Sequence, residues 1–247
     1  MKLTGNTILV TGGGSGIGQA LAWRFNDLGN TVIVAGRGEE RLRETVAGRE
    51  RMLPLQLDVA DNASVDAAIV QLKRDFPELN VAILSAGIMT RQELGSGGTI
   101  ATAEEVININ LLGTMRVAEA LIPLISGKPN ATICTVSSGL AFTPLPGGPA
   151  YSASKAAIHS YSLSLRQRLK GQVQVIEIAP PGVRTALTPG QDVNPHYMPL
   201  DAYIDETMAN FESEPDADEN LVGNVLPLRW AERDGQMDAM LERLAGV

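Results

Sequence analysis

A β-branched run, Thr7-Ile8-Leu9-Val10, passes without a spacer into Thr11-Gly12-Gly13-Gly14-Ser15-Gly16-Ile17-Gly18. Apolar residues then recur at helical spacing through Ile17, Leu21, Phe25 and Leu28 until Gly29. A strand, a glycine turn and a helix in that order narrow the possible folds more than any other feature of the chain. Glycines allow positive φ and let backbone N–H groups approach an anion, while the helix N-terminus adds partial positive charge. A P-loop shares the glycine spacing of Gly13 and Gly18, but Gln19-Ala20 stands where its Lys-Ser/Thr belongs, which argues against phosphoryl transfer.

The alternation continues. Short apolar runs at 31–35, 52–57, 81–85, 131–136 and 173–178 are separated by stretches of helical pattern near 39–47, 62–75, 102–125 and 150–170. This predicts an α/β fold, a single Rossmann-type, doubly wound parallel sheet of about seven strands with helices on both faces. After Ile178 the rhythm gives way to a segment rich in proline and aromatics, with 184–215 expected to serve as a substrate loop. Residues 221–228 are expected to supply the seventh strand and 234–244 a last helix. No repeat or linker divides the chain, so residues 1–247 are read as one dinucleotide-binding catalytic domain.

Among the 247 residues, 44% are hydrophobic and 19% charged, enough to fill a large shared core. A net charge of -8 disfavours nucleic acid and anionic membranes as partners. No apolar run approaches the ~20 residues of a membrane span, and the N-terminus meets glycines before it forms a signal-peptide core, so a cytoplasmic protein is expected. Cys134 is the only cysteine, expected as a small buried side chain in a strand. His159 and His196, the only histidines, are read as structural, and no metal site is expected.

The tip of the second strand selects the nucleotide in dinucleotide folds: an acid there binds a free ribose 2′-hydroxyl, an arginine a 2′-phosphate. Here it reads Ala35-Gly36-Arg37, which favours NADP(H), while Glu39 and Glu40 keep NAD(H) open. Asp58, followed by Val59 at the end of the third strand, suits either the adenine edge or a turn.

Tyr151 and Lys155 lie four apart in a helical stretch, so they share a face, and Ser137-Ser138 ends the fifth strand, where crevices open in such sheets. With the glycine turn and Ile109-Asn110-Leu111-Leu112-Gly113, these residues resemble the short-chain dehydrogenase/reductase family over essentially the whole chain. The resemblance implies a catalytic tetrad of Asn110, Ser138, Tyr151 and Lys155, and a cofactor turn of Gly12, Gly14, Ser15, Gly16, Ile17 and Gly18. It also implies that Lys155 and the oxidised nicotinamide lower the Tyr151 pKa, that Ser138 donates to the substrate oxygen, that Tyr151 delivers the proton and that Asn110 holds a water. Three departures stand out. The family's Asn-Asn-Ala-Gly is here Leu84-Ser85-Ala86-Gly87, an asparagine before the serine motif is Thr135, and the segment Pro181-Gly182-Val183-Arg184-Thr185 is one residue short of the usual pattern. The run Glu177-Ile178-Ala179-Pro180-Pro181 is similar to a bacterial branch of the family named for teichoic-acid D-alanylation, a name that describes a gene setting rather than a reaction.

Leu140, Phe142, Tyr197, Met198 and Tyr203 are expected to line the substrate pocket, and their apolarity points to a hydrophobic ketone or aldehyde reduced by NADPH, or the matching alcohol oxidised. The alternatives are a redox-silent dinucleotide sensor or scaffold, and an epimerase or dehydratase that recycles its cofactor. Apolar surface on helices 102–125 and 150–170 suits a homodimer or homotetramer.

Overall fold

The computed structural model describes every residue except 94, 96–98 and 247. Along the chain it forms β1 (Thr7–Thr11), α1 (Gly16–Asp27), β2 (Thr31–Gly36), α2 (Glu39–Val46), β3 (Met52–Gln56), α3 (Asn62–Asp75) and β4 (Leu79–Leu84). Next come α4 (Thr99–Ile107), a π-helical turn at Asn108–Gly113, α5 (Thr114–Ile125), β5 (Thr132–Val136), α6 (Pro149–Arg168), β6 (Gln174–Ile178), α7 (Leu200–Ser213), β7 (Glu219–Asn220), α8 (Leu226–Arg229) and α9 (Met237–Ala245). All seven strands pair in parallel in the order β3-β2-β1-β4-β5-β6-β7. The order reverses between β1 and β4, and in such sheets the crevice beyond the strand ends at the reversal is where ligands bind.

Successive strand residues face opposite sides, so a sheet covered by helices on both faces needs apolar residues at every position. Leu9, Ile33, Ala82 and Ile133 pack into one core with Leu121 and Leu165, whereas Ile8, Val10, Val32, Ile83 and Ile176 pack into the other with Phe25 and Phe211. That two-sided burial explains the continuous apolar runs. Cys134 belongs to the second core, fully buried, and burial pushes its thiol up to about 12.

Three expectations need correction. The seventh strand is Glu219–Asn220, paired with Glu177 and Ile178, and not 221–228. Residues 223–229 form a 3-10 turn and α8 instead, because Pro227 lacks the N–H a strand needs but fits a helical first turn. The predicted helix over 102–125 is two helices joined by the π turn, an irregularity that apolar periodicity does not resolve. Finally, the second half of 184–215 belongs to the core and not to a loop: Tyr203, Ile204 and Phe211 of α7 are buried, and Phe211 meets Phe25 of α1 at a ring-centroid distance of 6.1 Å. No helix among the described residues is long and apolar enough to cross a membrane.

Candidate active site

A cleft of about 1300 Å³ runs along the carboxyl ends of the strands and passes through the order reversal. Its floor at one end is the glycine turn. Gly12 has φ +67°, and a Cβ there would stand 2.9 Å from Ala86 Cα; a Cβ on Gly18 would stand 2.5 Å from the Gly12 carbonyl oxygen. The turn therefore closes only with glycine at both positions, and it delivers the backbone of Gly14, Ser15, Gly16 and Ile17 and the start of α1 to the cleft.

Arg37 lines the cleft from the tip of β2, and Arg41, one helical turn further on, lines it too. Neither forms an ion pair with another described residue, whereas Glu39 is held by Arg43 at 2.5 Å. Asp58 takes the turn role: its Oδ1 accepts from the Ala60 N–H at 2.9 Å, although the residue still borders the cleft. Val59 lies beside it, so close to the π turn that a Cβ on Gly113 would be 2.6 Å from Val59 Cγ2.

Ser85, Ala86 and Gly87 follow β4 along the same wall. The Ala86 N–H donates to Thr11 Oγ1 at 3.2 Å, and a Cβ on Gly87 would lie 3.2 Å from Asn110 Oδ1 and 3.6 Å from Lys155 Nζ. The shortened segment after β6 still reaches the turn. Pro181, Gly182, Val183 and Thr185 all line the cleft, and the Thr185 side chain stands 3.5 Å from where a Gly16 Cβ would be. Gln191 Nε2 ties this strap together by donating to the Val183 carbonyl at 2.8 Å and to Thr185 Oγ1 at 3.1 Å.

At the other end Tyr151, Lys155 and Ser138 meet. Tyr151 and Lys155 project from one face of α6, and Ser138, just past β5, lines the same end of the cleft, where its hydroxyl favours the Tyr151 phenolate. Lys155 Nζ donates to the Val136 carbonyl at 2.9 Å. Ser137 borders the cleft as well, but its Oγ donates to the Ile178 carbonyl at 3.5 Å. The acid–base behaviour differs from that expected: in the protein alone, burial pushes Tyr151 up to about 12, opposed only by the Ser138 hydrogen bond. Burial likewise pulls Lys155 down to about 8. Desolvation penalises the charged form of each, so it raises the phenol and lowers the ammonium.

Asn110 is fully buried, and its side chain is committed to bracing. Oδ1 accepts from the Ile88 N–H at 2.8 Å, while Nδ2 donates to the Ile88 carbonyl at 2.9 Å and to Ser154 Oγ at 3.1 Å. The chain after β4 is thereby fastened to α6.

Of the five residues expected to wall the pocket, Leu140 and Tyr197 do so. Tyr203 and Met198 pack into the core beneath, and Phe142 is held between His159 and Arg229. Met89, Leu145, Leu187 and Leu228 supply apolar wall in their place, and α9 adds Met240 and Leu244, which the amphipathic pattern of 237–244 signalled only as a helix. Arg91 and Arg243 also line the cleft.

Doubly wound topology, with a phenol, an ammonium and a hydroxyl gathered at the switch-point cleft, defines the class. Residues 6–194 match the family model described as short chain dehydrogenase, and the chain belongs to that family. It is 41% identical over 189 residues to the uncharacterized oxidoreductase DltE of Bacillus subtilis, covering 76% of this chain and 75% of that protein. Similarity to sulfoacetaldehyde reductase 2 of Chromohalobacter salexigens is 33% over 186 residues, 73% and 74% of the two chains. Among solved structures, the closed form of serine dehydrogenase complexed with NADP+ is similar at 29% identity and TM-score 0.69, covering 73% and 74%. A short-chain dehydrogenase from Burkholderia cenocepacia in complex with NADP shares the fold over 99% of both chains, with TM-score 0.80 and 24% identity.

Proposed function

We propose that the whole chain acts as one catalytic domain, an NADP(H)-dependent reductase of a small hydrophobic ketone or aldehyde, reversible toward the alcohol. The observation that carries this reading is the meeting of Tyr151, Lys155 and Ser138 in the cleft that the glycine turn floors. Gly12, Gly14, Ser15, Gly16, Ile17 and Gly18 suit a pyrophosphate, Arg37 and Arg41 suit a 2′-phosphate, and Asp58, Val59, Ser85, Ala86 and Gly87 suit the adenosine and ribose wall. Pro181, Gly182, Val183 and Thr185 suit the nicotinamide side. NADP-complexed relatives support the same choice, and NAD(H) is the alternative.

A nicotinamide held beside Pro181, Gly182, Val183 and Thr185 would supply the hydride. Ser138 donates a hydrogen bond to the substrate oxygen, and Tyr151, kept protonated by burial, delivers the proton there. Lys155, fixed by Val136, holds the ribose hydroxyls and biases the phenol, and Asn110 acts as a brace for the wall after β4. Leu112 and Leu163, large apolar side chains exposed on the π turn and α6, support pairing of copies as a homodimer or homotetramer. We place the enzyme in the cytoplasm.

One specific observation favours a second substrate class. Arg91 and Arg243 line the cleft, which suits a substrate carrying a carboxylate or sulfonate. Following NADPH absorbance against aryl ketones, aliphatic aldehydes, hydroxy acids and sulfonated aldehydes tests both. Turnover of the first two groups is expected, turnover confined to anionic substrates selects the second class, and no turnover with either nucleotide overturns the reductase.

A further inference from the structure

Behind the cleft, a chain of charges joins the C-terminal segment to the turn that carries Ser138. Glu177 of β6 is fully buried, and its Oε2 lies 2.7 Å from Nδ1 of His159, one helical turn beyond Lys155 on α6. Among the described residues Glu177 Oε1 has no hydrogen-bond partner, so the contact of Oε2 with His159 is what engages this carboxylate. The same Nδ1 is 3.9 Å from Glu219 Oε1. Arg229 grips both oxygens of Glu219, through Nε and Nη2, at 3.1 Å each. Side chains from α6, β6, β7 and α8 thus form one connected polar chain.

Phe142 is caught between His159 and Arg229. Its ring meets His159 edge-on at 4.9 Å, and the Arg229 guanidinium covers it at 4.4 Å. Phe142 closes the 3-10 turn Gly139–Ala141 that Ser138 opens. Its N–H donates to the Gly139 carbonyl at 3.1 Å, and the Leu140 N–H donates to Ser138 Oγ at 3.1 Å. Thr143 Oγ1 donates to the Leu228 carbonyl at 2.9 Å, which adds a second tie from the same C-terminal segment.

We propose that Arg229, Phe142 and His159 form a clamp that fixes the Ser138 turn against α6, and that Arg229 and Phe142 are positioning residues for the Ser138 hydroxyl. The proposal rests on Ser138 acting as the donor to the substrate oxygen. His159, Glu177 and Glu219 also carry the donor atoms of a metal site, all within 4.8 Å of one another. Arg229 already takes both oxygens of Glu219 and His159 one of Glu177, so each of these carboxylates already has a partner within the protein.

Two measurements test the clamp. Hydrogen exchange of the 138–143 amides is expected to quicken about tenfold in Arg229→Met and in Phe142→Ala, and to return toward the parent in Phe142→Tyr, while β1 amides stay protected. Unchanged exchange in both disrupting variants overturns the clamp, and Phe142→Ala serves if Arg229→Met does not fold. In kinetics, Arg229→Met is expected to lower kcat about tenfold with little change in the KM for NADPH. Adding Arg229→Met to Ser138→Ala is expected to cost nothing further, because both act through one hydroxyl. Additive losses overturn the positioning role. Failure of the catalytic reading has its own signature, full kcat in Ser138→Ala, whatever the exchange shows. Stabilisation of the parent by Mn2+ or Zn2+ that vanishes in Glu177→Gln replaces the clamp with a metal site.

Discussion

Lys155 Nζ donates to the Val136 carbonyl at 2.9 Å and stands 5.6 Å from the centroid of the Tyr151 ring. The hydrogen bond fastens the ammonium to the end of β5, the strand that also leads into Ser138, so phenol, ammonium and hydroxyl share one rigid support. Helix α6 fixes the remaining distance, since residues four apart lie on one face. Chemistry that needs these groups together is thus secured by one strand and one helix.

Tyr151→Phe removes the phenolic proton and leaves the ring packed. We expect kcat for carbonyl reduction to fall by about 10²- to 10⁴-fold while NADPH still binds with nearly parental affinity. Steady-state kinetics beside a fluorescence titration of NADPH checks this. A variant that keeps most of its kcat would assign the proton to another group.

Lys155 gives a pH signature in stability. Its pKa is about 8 when folded, against an ordinary 10.5, so between these values the unfolded chain binds more protons than the folded one. Stability arising from this group therefore rises with pH across that window and is flat below it. Tyr151, raised from 10 to about 12, and Cys134, raised from 9 to about 12, act with the opposite sign above pH 10 and pH 9, so the lysine is isolated by the difference between the parent and a variant that lacks it, in which those groups cancel. Denaturant titrations of the parent and Lys155→Met should show the parent gaining relative to the variant, by roughly 2 to 3 kcal/mol over the window. A constant difference would mean that Lys155 titrates normally and is not desolvated.

The glycine turn predicts a sharp substitution effect. Gly18 has no room for a Cβ, which would sit 2.5 Å from a backbone oxygen that cannot swing away. Gly18→Ala is expected to displace the turn and weaken NADPH binding by at least about tenfold, with the sheet intact. Far-UV circular dichroism separates this from unfolding, and isothermal titration reads the affinity. Gly223→Ala, outside the cleft and with a Cβ that would meet nothing nearer than 3.6 Å among the described residues, is the tolerated control.

The parts of this protein that were legible in its sequence are those written in neighbouring residues. The glycine turn, the pair Tyr151 and Lys155 and the buried strands follow from local spacing. The parallel sheet follows from the alternation of strands and helices, because parallel strands need crossovers. Where the sequence misled, the deciding contact was distant. Tyr203 and Phe142 look like pocket aromatics, but α7 docks on α1 and Arg229 arrives from far along the chain, and neither event has a local signal. The desolvation of Tyr151 in the protein alone depends on complete burial, which no local pattern reports. Arg41 was missed because only its place one turn from Arg37 on α2 gives it meaning.

That arginine pair leads to a prediction about cofactor choice. Arg37 and Arg41 flank the cleft without an ion-pair partner among the described residues, and of the two acids that line it beside them, Glu39 and Glu40, Glu39 is engaged by Arg43. Charge-assisted hydrogen bonds of about 1.5 to 3 kcal/mol each would make the 2′-phosphate strongly preferred. Arg37→Ala is expected to raise the KM for NADPH about ten- to hundredfold and leave that for NADH within about threefold, and Arg37→Ala with Arg41→Ala to remove most of the preference. The ratio of kcat/KM with the two nucleotides, measured on one carbonyl substrate, reads the effect directly. If the parent already prefers NADH, the two guanidiniums are solvated surface charges, and the nucleotide is chosen by the backbone of Gly36 and the Asp58 wall.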